Sequence, residues 1–362
     1  MKVLFLTKYD EHGASSRYRT IQMLPRLEQA GIVGDLCPLL NADYLFRRYG
    51  GSRAAKMNVA RAMLTRVRKL RRSSSYDLIW SEKEFLPWVP HLLELMIWPR
   101  DIPVVLDYDD AIHHRYDNHQ SAIVRGALGS KIPRLMSKAA CVIVGNDYLE
   151  RVARGAGASR VVQVPTVVDL SSYTPKSDYQ AEVLRVCWVG SPMTSHYLGQ
   201  INGPLARLAG ERAVELLVIG SPLTTMPGVR VRHAQWSQET EAELIRSCDV
   251  GIMPLPDSPF ERGKCGLKLI QYMAAGLPVI GSPVGVNTKI VEDGQNGLLA
   301  ESEEEWYEAL HRLEGSQKLR AELGRAGRER VERSYSIDAV MPALVEALNE
   351  ARSTRARHTM WR

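Results

Sequence analysis

PFERGKCGLKLIQYMAAGLPVIGSPVG, residues 259–285, carries the densest local signals in this 362-residue chain. It opens on a loop with Gly263 and Gly266, runs through strong helix formers at 267–275, stops at Gly276, and resumes after Pro278 as a strand. A glycine-bearing loop that feeds a helix N-terminus is an anion site by construction. Backbone N–H groups point outward, the peptide dipoles add positive potential, and glycine lets a phosphate approach closely. Lys264 and Lys268 put formal charge on the same end, while Cys265 reads as a packing residue at the helix start.

Outward from this segment, short aliphatic or β-branched runs alternate with longer stretches of helical spacing. The runs fall at 3–7, 77–80, 104–107, 141–144, 161–164, 185–189, 215–219, 250–254 and 278–280. Such runs suit strands covered on both faces, and the alternation predicts parallel sheets in an α/β architecture. The polar stretch VPTVVDLSSYTPKSDYQ, 164–180, separates two runs and is the natural linker. The expected architecture is two doubly wound, Rossmann-like domains facing a cleft, residues 1–168 and 169–336. A C-terminal helix, 337–362, is expected to pack back on the first domain. Ligands of doubly wound sheets gather at strand carboxyl ends, so the residues just after the strands matter most.

Bulk properties narrow the class. With 45% apolar and 24% charged residues the composition is that of an ordinary globular protein. Five scattered cysteines (Cys37, Cys141, Cys187, Cys248 and Cys265) argue against a disulfide framework or a zinc site, and for a reducing, cytoplasmic setting. MKVLFLTKYD reads as a first buried strand rather than a leader, and no run reaches the roughly 20 apolar residues of a membrane span. Residues 1–170 hold 25 Lys+Arg against 17 Asp+Glu, whereas 171–362 hold 22 against 24. Much of the excess lies at 47–72. Read as a helix, this stretch sets Met57, Met63, Leu64, Val67 and Leu70 on one face, with Arg61, Arg66, Arg68, Lys69, Arg71 and Arg72 mostly elsewhere. The expectation is a solvated helix or contact with an anionic membrane surface at the inner face of the membrane. Nucleic acid is not expected, since no stacking aromatics accompany the arginines.

GLKLIQYMAAGLPVIGSPVG, followed by DGQNGLL at 293–299, resembles the donor-binding half of glycosyltransferase family 4. Residues 164–169 resemble that family's interdomain turn, CWVGSP at 187–192 its second-domain first strand, and SCDVGIMPLP at 247–256 the strand before the donor loop. EHGASSRYR at 11–19 resembles the loop after strand 1, and LDYDDAIHHRY at 106–116 an acidic segment of one bacterial branch. The resemblance implies a GT-B fold and hexosyl transfer from a nucleotide sugar, UDP- or GDP-linked, with retention of configuration and no metal or other cofactor. Its acceptor would be a glycan, a lipid-linked intermediate or a small molecule, as in surface polysaccharide synthesis.

The resemblance carries donor-binding roles to Gly13, Arg17, Gly190, Ser191, Gly263, Lys264, Cys265, Gly266, Leu267, Lys268 and Gln271. Two departures stand out. Gly263 and Gln271 occupy the places of a common glutamate pair, and Ser191, Thr194 and Ser195 replace a usual Arg and Lys. Gln271 can still bond a ribose hydroxyl. Lys264 and Lys268, with Arg17 or Arg19, are expected to supply the missing positive charge, with Glu261 a further candidate for holding the sugar. Ser15 and Ser16 read as helix caps. The catalytic candidates are Asp109 or Asp110, orienting the acceptor hydroxyl or taking its proton, with His113 nearby and Lys264 on the leaving phosphate. Asp107-Tyr108-Asp109 also has the form of a metal-binding aspartate pair, which the expected fold does not need. A non-catalytic nucleotide-sugar-binding protein and a sugar-nucleotide epimerase are the alternatives. An oxidoreductase is disfavoured because EHGASSR replaces G-x-G-x-x-G after the first strand.

Overall fold

The computed structural model describes residues 1–49, 56–222 and 224–359, and the side chains of all of these but 46–49, 56–58 and 354–359. The chain forms two compact units. Met1–Thr166, Gly263–Cys265 and Val340–Arg362 make the first; Val167–Arg262 and Gly266–Ala339 make the second.

The first unit is built on β1 (Lys2–Leu6), β2 (Val33–Leu36), β3 (Leu78–Glu82), β4 (Val104–Tyr108), β5 (Cys141–Val144) and β6 (Val161–Gln163). All pair in parallel, in the order β2-β1-β3-β4-β5-β6. Leu4 lies beside Ile79 in register, and Trp80 beside Val105. The central strands β1, β3, β4 and β5 are buried, which is why their sequences lack polar alternation. The second unit repeats the plan with β7 (Leu184–Val189), β8 (Val214–Ile219), β9 (Arg230–Ala234), β10 (Val250–Met253), β11 (Val279–Gly281) and β12 (Leu298–Leu299). Its order is β12-β11-β10-β7-β8-β9, again parallel throughout.

In each sheet the winding reverses beside the first strand, between β1 and β3 and between β7 and β10. Loops leaving the two strands at such a point part in opposite directions and open a crevice at the carboxyl edge. The fold thus marks two places, one per unit, where a ligand has room.

In the basic stretch 47–72, Met63, Val67 and Leu70 pack on the core as one face, and the departures from expectation are Leu64 and Arg66. Residues 50–55 and the side chains of 46–58, including that of Met57, lie outside the described residues. In the helix Lys56–Arg71, Leu64 faces outward, 58% exposed, while Arg66 is buried and donates to the carbonyls of Thr7 and Cys37. These two carbonyls, just past the ends of β1 and β2, outweigh the preference of arginine for water. Among the described residues, no helix is long and apolar enough to cross a membrane.

Candidate functional site

In the first unit, a polar network closes over the β1/β3 crevice. The helix Ala14–Arg19 starts directly after the β1 loop with Gly13 as its N-cap. Ser15 and Ser16 therefore lie inside the helix and are not its caps. Ser16 Oγ donates to Glu82 Oε2 at 2.5 Å and accepts from the Tyr9 amide, while Ser15 Oγ donates to Asp109 Oδ2 at 2.5 Å. Lys83, the first residue past β3, sits at a left-handed φ of 66° and is buried. Its ammonium reaches Asp109 at 2.8 Å, Ser15 at 3.0 Å and Asp110 at 3.5 Å. Burial opposes charge on both partners of the Lys83–Asp109 pair, yet their mutual attraction wins. Lys83 is held well above the usual ammonium range, and Asp109 is pulled down to about 2.

Arg17 and Arg19 are both buried, not displayed on an exposed first turn. Arg19 forks onto Asp107, Nε to Oδ2 at 3.0 Å and Nη2 to Oδ1 at 2.5 Å, and also donates to the Val164 carbonyl. Arg17 donates to the Glu11 carbonyl and lies over the Tyr18 ring. Gly13 is filled in by Tyr9, whose Cβ would stand 2.3 Å from any added methyl. The aspartate pair weighed for a metal is spoken for, since Asp107 faces Arg19 and Asp109 faces Lys83. His113 is buried against the rings of His114 and Tyr148. Burial, and then the neighbouring His114, push its imidazole down to about 4, so it is neutral at ordinary pH. His113, His114 and Asp117 do form a group with ligand atoms within 4.8 Å of one another, as do Asp10, Glu11 and His12.

The loop segment Gly263–Cys265 belongs to the same unit. Asn146 Nδ2 donates to the carbonyls of Gly263 at 2.9 Å and Lys264 at 3.1 Å. A side chain at Gly263 would meet Ala111 Cβ at 2.4 Å, so this position requires glycine by close approach. Cys265 packs in the core, and burial pushes its thiol up to about 12, which suits the packing role and not a nucleophile.

The second unit holds the rest of the loop. Gly266 takes φ 65° and opens the helix Leu267–Ala274; a methyl there would lie 2.2 Å from Ile290 Cδ1. The first amides of that helix, Leu267 among them, have no carbonyl partner within the helix. Lys268 carries its ammonium 5.5 Å from the Trp188 ring centroid at the end of β7. Gly190 follows β7, its amide bonded to the Ile219 carbonyl, and the Trp188 indole occupies the space beside it. Ser191 starts a turn in which Thr194 donates back to its carbonyl. Gln271 lies on the buried face of the helix and donates to Tyr173 Oη at 3.2 Å. Glu261 is likewise buried, accepting from Tyr197 Oη at 2.5 Å and from Ser258 Oγ.

Each unit thus gathers its own set. Ser15, Lys83, Asp109 and Asp110 meet in the first; Gly190, Ser191, Gly266, Leu267 and Lys268 lie around β7 and the glycine-opened helix in the second. Lys83, Glu82 and Tyr197 escaped the sequence reading. For Lys83 the signal was available, because it stands three residues past the strand run at 77–80, in WSEKEF.

Residues 196–315 match the family model described as glycosyl transferases group 1. A D-inositol 3-phosphate glycosyltransferase of Stackebrandtia nassauensis is 32% identical over 112 residues, 30% of this chain and 24% of that protein. The chain spans between about a quarter and about half the length of the curated relatives it matches first. Sucrose-phosphate synthase from Thermosynechococcus elongatus superposes with a TM-score of 0.71 at 19% identity, covering 99% of this chain and 100% of that one. Anabaena Alr3699/HepE in complex with UDP gives 0.70 at 16% identity, covering 96% and 100%. Both share the fold of two parallel-sheet α/β units.

Proposed function

We propose, on the premise that residues 196–315 belong to the group 1 glycosyl transferases, that this chain moves a hexosyl group from a nucleotide sugar to an acceptor hydroxyl. The observation that carries the reading is the left-handed Gly266 at the head of Leu267–Ala274, with Lys264 and Lys268 on either side. Amides, helix dipole and two ammonium groups stabilise the negative charge that builds on a departing diphosphate. A uridine nucleotide is the first candidate, because HepE, alike in fold, has been seen with UDP and with UDP-glucose. The reading assigns no metal, the lysines taking the charge a cation would otherwise meet.

In the first unit, Asp110 orients the acceptor hydroxyl and Asp109 serves as a fixed charge rather than a proton acceptor, being held at about 2. Lys83 keeps the two carboxylates together. Transfer with retention, by front-side attack with the leaving phosphate taking the acceptor proton, needs no enzyme nucleophile, and the buried Cys265 offers none.

Thermal shift with a panel of nucleoside diphosphates and nucleotide sugars tests the donor site. One base family should stabilise the wild type, by about 2.7 kcal/mol at a hundredfold excess over Kd, and Lys264→Ala should lose most of it. A panel without any stabilising nucleotide sinks the assignment. Lys83→Met should cut turnover about a hundredfold or more with donor binding retained; unchanged turnover would remove Lys83 and its carboxylates from the mechanism. A second reading, nucleotide-sugar binding without transfer, is favoured by Gly263 and Gln271 standing where family members carry glutamates. It predicts the same thermal shift but no nucleotide release with any acceptor.

A further inference from the structure

The loop and helix after β3 turn large apolar side chains outward. Trp88 is 54% exposed, Leu92 65%, Leu93 55% and Met96 80%, with Ile123 on the helix Ala122–Leu128 at 82%. Single exposed apolar residues are ordinary, but three of these share one short helix, His91–Met96. At about 100° per residue, Leu92, Met96 and Leu93 fall within one narrow arc, and Glu94 points the opposite way into the core.

The display is rigidly built. Trp88 stands at φ 64°, a conformation that a bulky residue keeps only when its surroundings impose it. Its amide donates to Tyr116 Oη, and its ring lies edge-on to Tyr116 at 5.2 Å and to His119 at 5.8 Å. Beneath, buried Lys131 joins Glu84 at 2.5 Å, Glu94 at 2.9 Å and the Leu86 carbonyl at 2.6 Å, while the Phe85 amide donates to Glu94. One ionic knot therefore fastens both the loop that carries Trp88 and the helix that carries the leucines.

The segment that carries this face is rich in exposed basic side chains. Between residues 88 and 138 the exposed charged side chains are Arg100, Arg115, Arg125, Arg134 and Lys138 against Asp101 and Asp117. Arg125 donates to the His119 carbonyl, beside the Trp88–His119 contact. We propose that this face rests on an anionic lipid bilayer, Trp88 at headgroup depth and Leu92, Leu93 and Met96 in the acyl boundary, with the arginines on lipid phosphates. It involves other residues than the basic stretch 47–72, and it does not depend on sugar transfer.

Vesicle sedimentation of the full chain tests it, with phosphatidylcholine alone against a phosphatidylcholine–phosphatidylglycerol mixture. The wild type should bind the anionic mixture, and less as salt rises. Leu92→Glu with Met96→Glu should weaken binding about tenfold or more with the same unfolding temperature. Ile123→Glu, on a separate helix, should act in the same direction, and Arg100→Glu with Arg134→Glu should abolish the preference for anionic lipid. A wild type that stays in the supernatant overturns the proposal, as does a Leu92→Glu/Met96→Glu chain that binds unchanged. So does light scattering, without lipid, showing a dimer that the same pair converts to a monomer, which would give the face to a second copy. No nucleotide enters these measurements, so their failure leaves the sugar-transfer reading where it stands.

Discussion

Asp109 and His113 lie on one short stretch of chain, and both are shifted downward for opposite reasons. Burial penalises the charged form of each. Asp109 has Lys83 and Ser15 to outweigh that penalty and stays ionised to about 2. For His113 the attraction of Asp117 is smaller than the penalty, so burial prevails and its imidazole remains neutral down to about 4. The unfolded chain takes up a proton there near the ordinary 6.5, before the folded one does. Stability should therefore be complete above that pH and fall as pH drops from about 6.5 to about 4, by on the order of 3 kcal/mol. Denaturant titrations across this range, compared with His113→Phe, measure it. A slope that survives the substitution would assign the effect to other groups. Neither shift was legible beforehand, because a sequence shows that a carboxylate and an imidazole are close in the chain but not which cation folds against which.

Asn146 joins two elements through one side chain. Its Oδ1 accepts from the Leu149 amide and caps the helix Asp147–Gly155, while its Nδ2 serves the carbonyls of Gly263 and Lys264. Asn146→Asp keeps the cap and turns two donated bonds into oxygen facing oxygen. We expect a loss of about 2 kcal/mol and weaker nucleotide affinity, against about 1 kcal/mol for Ser302→Ala at the capping box of Glu303–Glu314. Equal losses would mean that the loop is held by something other than Asn146. At this scale the sequence reading succeeded where elements are buried. Nine strands lie on its apolar runs, but β2, β9 and β12 were missed. They are edge or two-residue strands, and β9, Arg230–Ala234, alternates charged residues because one edge faces water. In the donor segment the glycine-opened helix was readable from spacing. The inward turn of Arg66 was not, since its two carbonyl partners come from other strands.

Each unit of the molecule has its own apolar core, one around β1, β3, β4 and β5 and the other around β7, β8, β10 and the helix Glu303–Glu314. Independent cores predict two resolvable transitions in calorimetry. A bound nucleoside diphosphate should raise the transition of the second unit more. A single sharp transition, moved as a whole by nucleotide, would show that the units unfold together. The first unit has a further property. The polypeptide leaves it at Thr166 and returns for good only at Val340, in a helix whose Leu344, Ala347, Leu348 and Ala351 are buried. On the ribosome, at roughly 5–20 residues per second, the early half must wait tens of seconds for its last piece, while the later half finishes first. The nascent chain thus carries an open apolar seam through much of its synthesis, which makes it a client for chaperones and makes Leu344 and Leu348 matter more to yield than to activity.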